Sequence, residues 1–278
     1  MQRNDQQYRH RVGQLIRFAI CASIVLTCSA PAAFSQTPKA EEQTVPERIP
    51  VTPEVAKILD DMETAGNAVK TIRCDVKLNE KDNLNLTETT KYGSILFKRD
   101  EPHAMFMVAF DRTEADGIVH KDKEWWLFRD RWLIEAKSQS NTIIRREQLR
   151  PGETIDLFDL EQTPFPMPFG QKRDQIERNF GVSLTPPTAD DPQGCDHLVC
   201  RPHPNAPLAR EYKRLDFLVS KDLRLPIRII VEDVRGDSVR IADFPSLSKA
   251  DLNLDLPDKA FALPPETKDY GVSTESLE

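Results

Sequence analysis

The stretch Thr71-Ile72-Arg73-Cys74-Asp75-Val76-Lys77-Leu78 decides the fold. Ile72, Cys74, Val76 and Leu78 alternate with Arg73, Asp75 and Lys77, and a period of two puts the apolar set on one side of an extended chain. Just upstream the period is that of a helix. Thr52 offers an N-cap, Pro53 takes the first helical position, Glu54 lies in the first turn, and Val55, Ile58, Leu59 and Met62 recur on one face. Gly66-Asn67 loosens the end of that helix.

Downstream the alternation repeats. Lys81-Asp82-Asn83 turns the chain into a second strand over about 84–99. Strand-like runs follow at 103–111, 116–121, 124–129, 131–137 and 141–147, joined by turns too short for anything but antiparallel neighbours. A second set spans 195–202, 211–220, 223–233 and 237–244, with hairpin turns at Lys221-Asp222 and Arg235-Gly236-Asp237 and a last extended stretch over about 247–256. No β–α–β rhythm interrupts either set, which excludes a dinucleotide-binding sheet. Between the sets, residues 150–170 combine Pro151, Pro164, Pro166 and Pro168 with Phe158, Phe165, Met167 and Phe169. Prolines cannot donate ladder hydrogen bonds, so this insertion reads as a cover, followed after Gly170 by a short helix with Ile176 and Phe180 on one face.

The ends read differently. Arg3, Arg9, Arg11 and Arg17 face only Asp5, the apolar run Phe18–Leu26 follows, and Ala33-Phe34-Ser35 has the small-x-small pattern of a cleavage site. That run is far shorter than the ~20 residues a spanning helix needs, so residues 1–35 are expected to be a cleaved signal peptide and the protein periplasmic. Lipidation at Cys28 is the competing reading. Residues 36–53, rich in Pro, Glu, Gln and Thr, read as a flexible linker, 54–265 as one domain and 266–278 as a tail. Without the four basic residues and one acid of the leader, the 38 basic and 45 acidic side chains of the chain become 34 and 44. Such an acidic balance argues against nucleic acid and against electrostatic docking on anionic lipid.

Catalytic constellations are missing from the sequence: there is no nucleophile elbow, no glycine-rich phosphate loop and no H-E-x-x-H, and no enzyme, cofactor or metal is expected. Cys195, His197, Cys200 and His203 have zinc-type side chains, but alternation sends Cys200 to the opposite face from Cys195 and His197. They read as strand residues beside a turn. Cys195 and Cys200, roughly 16 Å apart along a strand, cannot bridge each other, whereas a bridge from Cys74 to either is open.

The apolar side chains carry more information. Ile95, Phe97, Phe106, Phe110, Trp126, Phe128 and Phe217 can line the interior of a curled sheet, with Phe169, Ile176 and Phe180 capping it; Trp125, Trp132 and Phe244 can join them. A hollow and a packed core are both compatible with this set. In Gly93-Ser94-Ile95-Leu96-Phe97-Lys98-Arg99, Ile95, Phe97 and Arg99 share a side, so a guanidinium ends an apolar row. Arg99 either bonds backbone carbonyls or a carboxylate, or reaches solvent from the rim.

In order and spacing these elements resemble the outer-membrane lipoprotein carrier family, with its LolA-like fold, across about residues 54–265. The resemblance rests on the helix followed by Val69-Lys70-Thr71-Ile72-Arg73, on Gly93 to Arg99 with Pro102 nearby, and on Asp122-Lys123-Glu124-Trp125-Trp126-Leu127-Phe128. Pro168-Phe169-Gly170, Leu225-Pro226-Ile227-Arg228-Ile229 and Phe261-Ala262-Leu263-Pro264 complete it. It implies a mainly β, incomplete antiparallel barrel wrapped around a helical lid, with the ten residues from Ile95 to Phe217 named above as a cavity for acyl chains and Arg99 as the residue that gates the lid. It also implies a monomer that takes lipoproteins or lipids from an inner-membrane transporter to an outer-membrane acceptor, or, on the same fold, a lipid-sensing regulator. In this chain Asp100 and Glu101 separate Arg99 from Pro102.

Overall fold

The computed structural model describes residues 50–100, 103–153 and 169–277. The expected leader, most of the linker and the proline-rich centre of the insertion (154–168) lie outside the described residues. Helix α1, Pro53–Ala68, starts as its sequence dictates. The Thr52 hydroxyl accepts the Val55 N–H at 3.3 Å, Pro53 supplies no N–H where none is needed, and Val55, Ile58, Leu59 and Met62 are buried.

Thirteen strands among the described residues then form one sheet. They are β1 Thr71–Asp82, β2 Thr87–Asp100, β3 His103–Ala115, β4 Ile118–His120, β5 Glu124–Arg129, β6 Trp132–Lys137, β7 Thr142–Glu147, β8 Phe180–Thr185, β9 Cys195–Pro202, β10 Tyr212–Ser220, β11 Pro226–Asp233, β12 Ser238–Asp243 and β13 Gly271–Glu275. Helix α2, Arg173–Asn179, leads directly into β8. The order across the sheet is β13-β7-β6-β5-β3-β2-β1-β12-β11-β10-β9-β8, with β4 paired to β3. Two antiparallel meanders are therefore joined where β1 meets β12, from Lys77 opposite Asp243 to Asp82 opposite Ser238. The protein is mainly β, a large open sheet with short helices.

Four elements differ from the sequence reading. Phe180 is the first residue of a strand rather than the last face of the helix: its backbone is extended, and β8 pairs with β9 from Phe180 opposite Pro202 to Thr185 opposite His197. The tail 271–275 is not loose but lies parallel along β7, which makes the sheet mixed. The stretch 247–256 forms no strand; it bends through a 3-10 turn at Lys249–Asp251 and meets the start of β1 through a single bridge, Ile72 to Leu252, and two bonds at Thr71, whose carbonyl accepts the Asn253 N–H at 2.9 Å and whose hydroxyl donates to the Leu254 carbonyl at 2.7 Å. The turn after β1 falls at residues 83–86, leaving Lys81 and Asp82 in the strand.

Register assigns the side chains to faces. Ile72, Phe97, Phe106, Phe128 and Leu133 lie opposite one another on five successive strands, and Cys74, Ile95, Val108 and Trp126 form the next row. This inner face carries the longest apolar rows of the described residues. The outer face of β3, β5, β6 and β7 is covered by the chain after β12: Leu256 and Phe261 pack on Met105 and Leu127, and Leu263 and Tyr270 on Trp125, Ala136 and Ile143.

Candidate functional site

The ten residues expected to line a lipid site are all buried, from 0 % exposed at Ile176 to 7 % at Trp126. Ile95, Phe97, Phe106, Phe110, Trp126 and Phe128 share the inner face of β2, β3 and β5. Phe106 and Phe128 stack with ring centroids 5.8 Å apart, an arrangement that adds to their burial. Phe217 joins the same face from the other meander, through the row Leu78, Ala242, Ile229, Phe217 and Leu198. Ile176 belongs to α2, Phe180 begins β8, and Phe169 packs on Phe244 at 5.2 Å. Trp125 and Trp132 are the exceptions among the aromatics considered: Trp125 faces outward beside Ala136, as its place next to Trp126 requires, and Trp132 does so as the neighbour of inward-facing Leu133.

Arg99 sits on this inner face and reaches across to α1. Its Nη2 donates to the Gly66 carbonyl at 3.2 Å, in the last turn of the helix, while its backbone N–H donates to the Lys70 carbonyl at 2.7 Å. Of the two roles open to it from sequence, the structure selects the carbonyl bond. The Gly66 carbonyl also accepts the Val69 N–H at 3.2 Å, and a cation there meets the negative end of the helix dipole. The same turn abuts Gly170: a Cβ added at Gly66 would come within 2.6 Å of the Gly170 Cα, so a glycine at 66 lets these backbones meet, and Gly170 itself turns with a φ of 86°. Farther along, Arg173 links α2 to α1 through Asp60 at 2.7 Å, and its N–H bonds Glu63 at 2.9 Å. Helix α1 is thus tied down by polar contacts at its end and flank above an apolar floor.

The floor has a polar end. Lys91 and Glu124 form a mostly buried ion pair at 3.0 Å, with the Lys91 ammonium 5.8 Å from the centre of the Phe110 ring. Glu80 projects on the same side, and burial pushes its carboxyl above the usual range despite Lys91 and Arg240 nearby.

On the outer face lies a groove of about 710 Å³, walled by Pro245 on one side and Pro264 with Glu266 on the other. Asp75, Lys77, Asp111, Lys123 and Trp125 contribute to its lining, and of the ten expected lipid residues it is Phe110 that reaches it. Mixed charge makes it unlike the inner face.

A second polar cluster on the outer face was not legible as such. His197 stands between two carboxylates, Nδ1 at 3.0 Å from Asp191 Oδ2 and Nε2 at 3.2 Å from Asp216 Oδ2; Arg214 approaches the same Asp216 oxygen at 3.2 Å. Burial pushes the Asp216 carboxyl up, more than Arg214 and His197 pull it down. Burial also raises Asp191, but the Thr188 N–H and His197 more than offset this and hold it below the usual range. The neighbouring cysteines take no part. Cys74, Cys195 and Cys200 are free thiols, so the bridge left open for Cys74 is not formed, and burial raises Cys74 to about 12. His203 instead bonds the Glu177 carbonyl. No group of metal-ligating side chains is gathered among the described residues, and no helix there is long and apolar enough to cross a membrane.

No family model matches the chain, and no curated protein matches it. Solved structures resemble it in architecture at low identity. An uncharacterized conserved protein from Thermus thermophilus is 11% identical with a TM-score of 0.45, over 80% of this chain and 99% of that one. A LolA superfamily protein from Nitrosomonas europaea is 17% identical with a TM-score of 0.35, over 77% of this chain and 99% of that one. The Pseudomonas aeruginosa MucA/MucB complex gives 10% identity and a TM-score of 0.41, over 76% of this chain but 61% of that chain, less than two thirds of its length.

Proposed function

We propose that this protein is a periplasmic, non-enzymatic carrier that holds acyl chains of lipoproteins or other lipids against the inner face of its sheet and passes them towards the outer membrane. The observation that carries this reading is the continuous apolar floor from Ile72 through Phe97, Phe106 and Phe128 to Leu133, roofed by a helix held at its end by a charge-assisted bond, Arg99 to Gly66. Each CH₂ removed from water contributes ~0.8 kcal/mol, so a lipid anchor needs such a floor to travel through an aqueous space. The ten side chains are buried with the roof in place, so cargo reaches them when α1 and α2 lift away. An Arg–carbonyl bond of roughly 1.5–3 kcal/mol is strong enough to keep the roof down and weak enough for cargo to displace. Arg99 is then the gate and Ile95, Phe97, Phe106, Phe110, Trp126, Phe128, Phe169, Ile176, Phe180 and Phe217 are the binding surface.

The test is titration of the folded protein with a fluorescent fatty-acid probe. Binding at one or a few equivalents, displaced by diacyl lipid and altered in off-rate by Arg99→Leu with the fold unchanged, supports the carrier. Binding that follows only denaturation would sink it. A stable complex with a membrane-anchored regulator, without lipid transfer between vesicles, would favour a lipid-sensing module instead.

A further inference from the structure

Large apolar side chains left in water are few in the described residues, and most of them share one place. Leu84 is 72 % exposed, Leu86 90 %, Ile118 60 %, Val119 53 % and Val234 46 %. Leu84 and Leu86 are in the β1–β2 turn, Ile118 and Val119 begin β4 after the β3 turn, and Val234 is in the β11–β12 turn. Register brings the three turns together at one end of the sheet. Asp82 pairs with both Thr87 and Ser238, Asn83 Nδ2 donates to the Gly236 carbonyl at 2.9 Å, and Thr89 lies opposite Ala115, which lies opposite Ile118. The strands run in the order β11-β12-β1-β2-β3-β4, so the five side chains span five strand spacings, about 24 Å. The opposite end of β1, where Arg99 meets α1, is roughly 36 Å away along the strand.

The turns are not built for their own stability. Leu86 has a φ of 54°, in the left-handed region that a γ-branched residue enters at a cost, and spends that cost on a side chain in water. Two acids are engaged at the necks of the turns, Asp237 pairs within the β11–β12 turn, and Asp116 stands exposed at the tip of the β3–β4 turn. Asp82 accepts the Asn85 N–H at 2.8 Å, Asp233 accepts the Ser238 N–H at 3.0 Å, and Asp237 pairs with Arg235 at 2.9 Å. What projects is therefore Leu84, Asn85 and Leu86 from the β1–β2 turn, Ile118 and Val119 behind Asp116, and Val234 beside Arg235: apolar side chains on separate tips, with one acid and one base among them.

We infer that these three hairpin tips form a membrane-contact edge that dips into the headgroup–acyl boundary of a zwitterionic bilayer. A rigid protein partner would need a complementary pocket for each finger, whereas a fluid apolar layer accepts separate, convex projections without fixed spacing. The chain carries a formal net charge of −7, so attraction to anionic headgroups is not what holds it there. The edge needs no cargo, and it stands or falls apart from the lipid site on the inner face.

Vesicles of phosphatidylcholine with phosphatidylethanolamine test this at physiological salt, using the full chain and a Leu84→Ser/Leu86→Ser variant that keeps residues 1–35 identical in both. Co-sedimentation of the unaltered chain, with partitioning at least about tenfold weaker in the double variant and an unchanged circular dichroism spectrum, is expected. A Leu84→Trp variant keeps the finger apolar and reports on it directly. Its emission should shift to the blue on adding vesicles and be quenched by brominated acyl chains. Equal partitioning of the serine variant, no shift for the tryptophan, or pelleting only with anionic vesicles at low salt would overturn the inference. So would a dimer that the serine substitutions dissolve while vesicles bind neither form, because the tips would then be a contact between copies.

Discussion

The two faces of the sheet solve burial in opposite ways. The inner face is aromatic and continuous from β1 to β6, with Lys91, Glu124 and Glu80 towards one end and Arg99 at the other. The outer face is patched: one half is strapped by Leu256, Phe261, Leu263 and Tyr270, and the other buries the ionic chain Asp191–His197–Asp216–Arg214. Apolar contact is non-directional and tolerates a change of partner, while buried ion pairs hold only in one geometry. On the proposed carrier reading, the inner face is the one that exchanges its covering, and the outer face keeps the sheet in shape.

Four measurements would break or sharpen that contrast. The largest effect is expected at the centre of the inner face. Phe106→Ala removes a stacked, fully buried ring and should cost ~3–5 kcal/mol in urea unfolding, and added lipid should restore part of it by filling the space. A loss that lipid leaves unchanged would make the inner face an ordinary core. Next comes the ionic cluster. Asp216→Ala leaves His197 and Arg214 facing an apolar gap and should cost roughly 3 kcal/mol. Its pH signature has a definite sign. Asp191 is held below its unfolded value, so its contribution is present above the ordinary carboxylate range and is lost as pH falls through the folded value. Asp216 is raised, so its contribution is present at low pH and lost as pH rises through its folded value. Asp191→Asn should then flatten the acid limb of the stability curve below about pH 4, and an unchanged limb would show that Asp191 does not hold the loop to β9. The smallest effect belongs to β13. Its five residues are exposed and held by ladder bonds and the Arg146–Glu275 pair at 3.0 Å. Deleting residues 271–278 should cost less than about 1 kcal/mol, with faster amide exchange confined to β7. A global loss of stability would make that edge part of the core.

Much of this was readable residue by residue. The cap at Thr52, the proline at 53 and the spacing of Val55, Ile58, Leu59 and Met62 placed α1, and alternation placed β5 and β9 at the observed boundaries. The faces of Cys195, His197 and Cys200 followed from the same rule. Strand β8 was hidden because Phe180, four residues after Ile176, keeps helical spacing even though its backbone has already become extended. Strand β13 was hidden because an edge strand with both faces in solvent has no apolar alternation to show.

What the sequence determined alone are the features written in side chains close along the chain: the helix start, the strand periods, the acidic balance and the odd placement of Arg99 at the end of an apolar row. Tertiary structure decided what those side chains meet. The acceptor for Arg99 is a backbone carbonyl, which every residue possesses and none advertises; the partners of His197 come from a loop and a neighbouring strand; and the apolar fingertips share an edge only because β12 pairs with β1. Local periodicity follows from backbone geometry within a few residues, whereas pairing between distant strands is fixed by which combination of whole faces buries the most apolar surface at once.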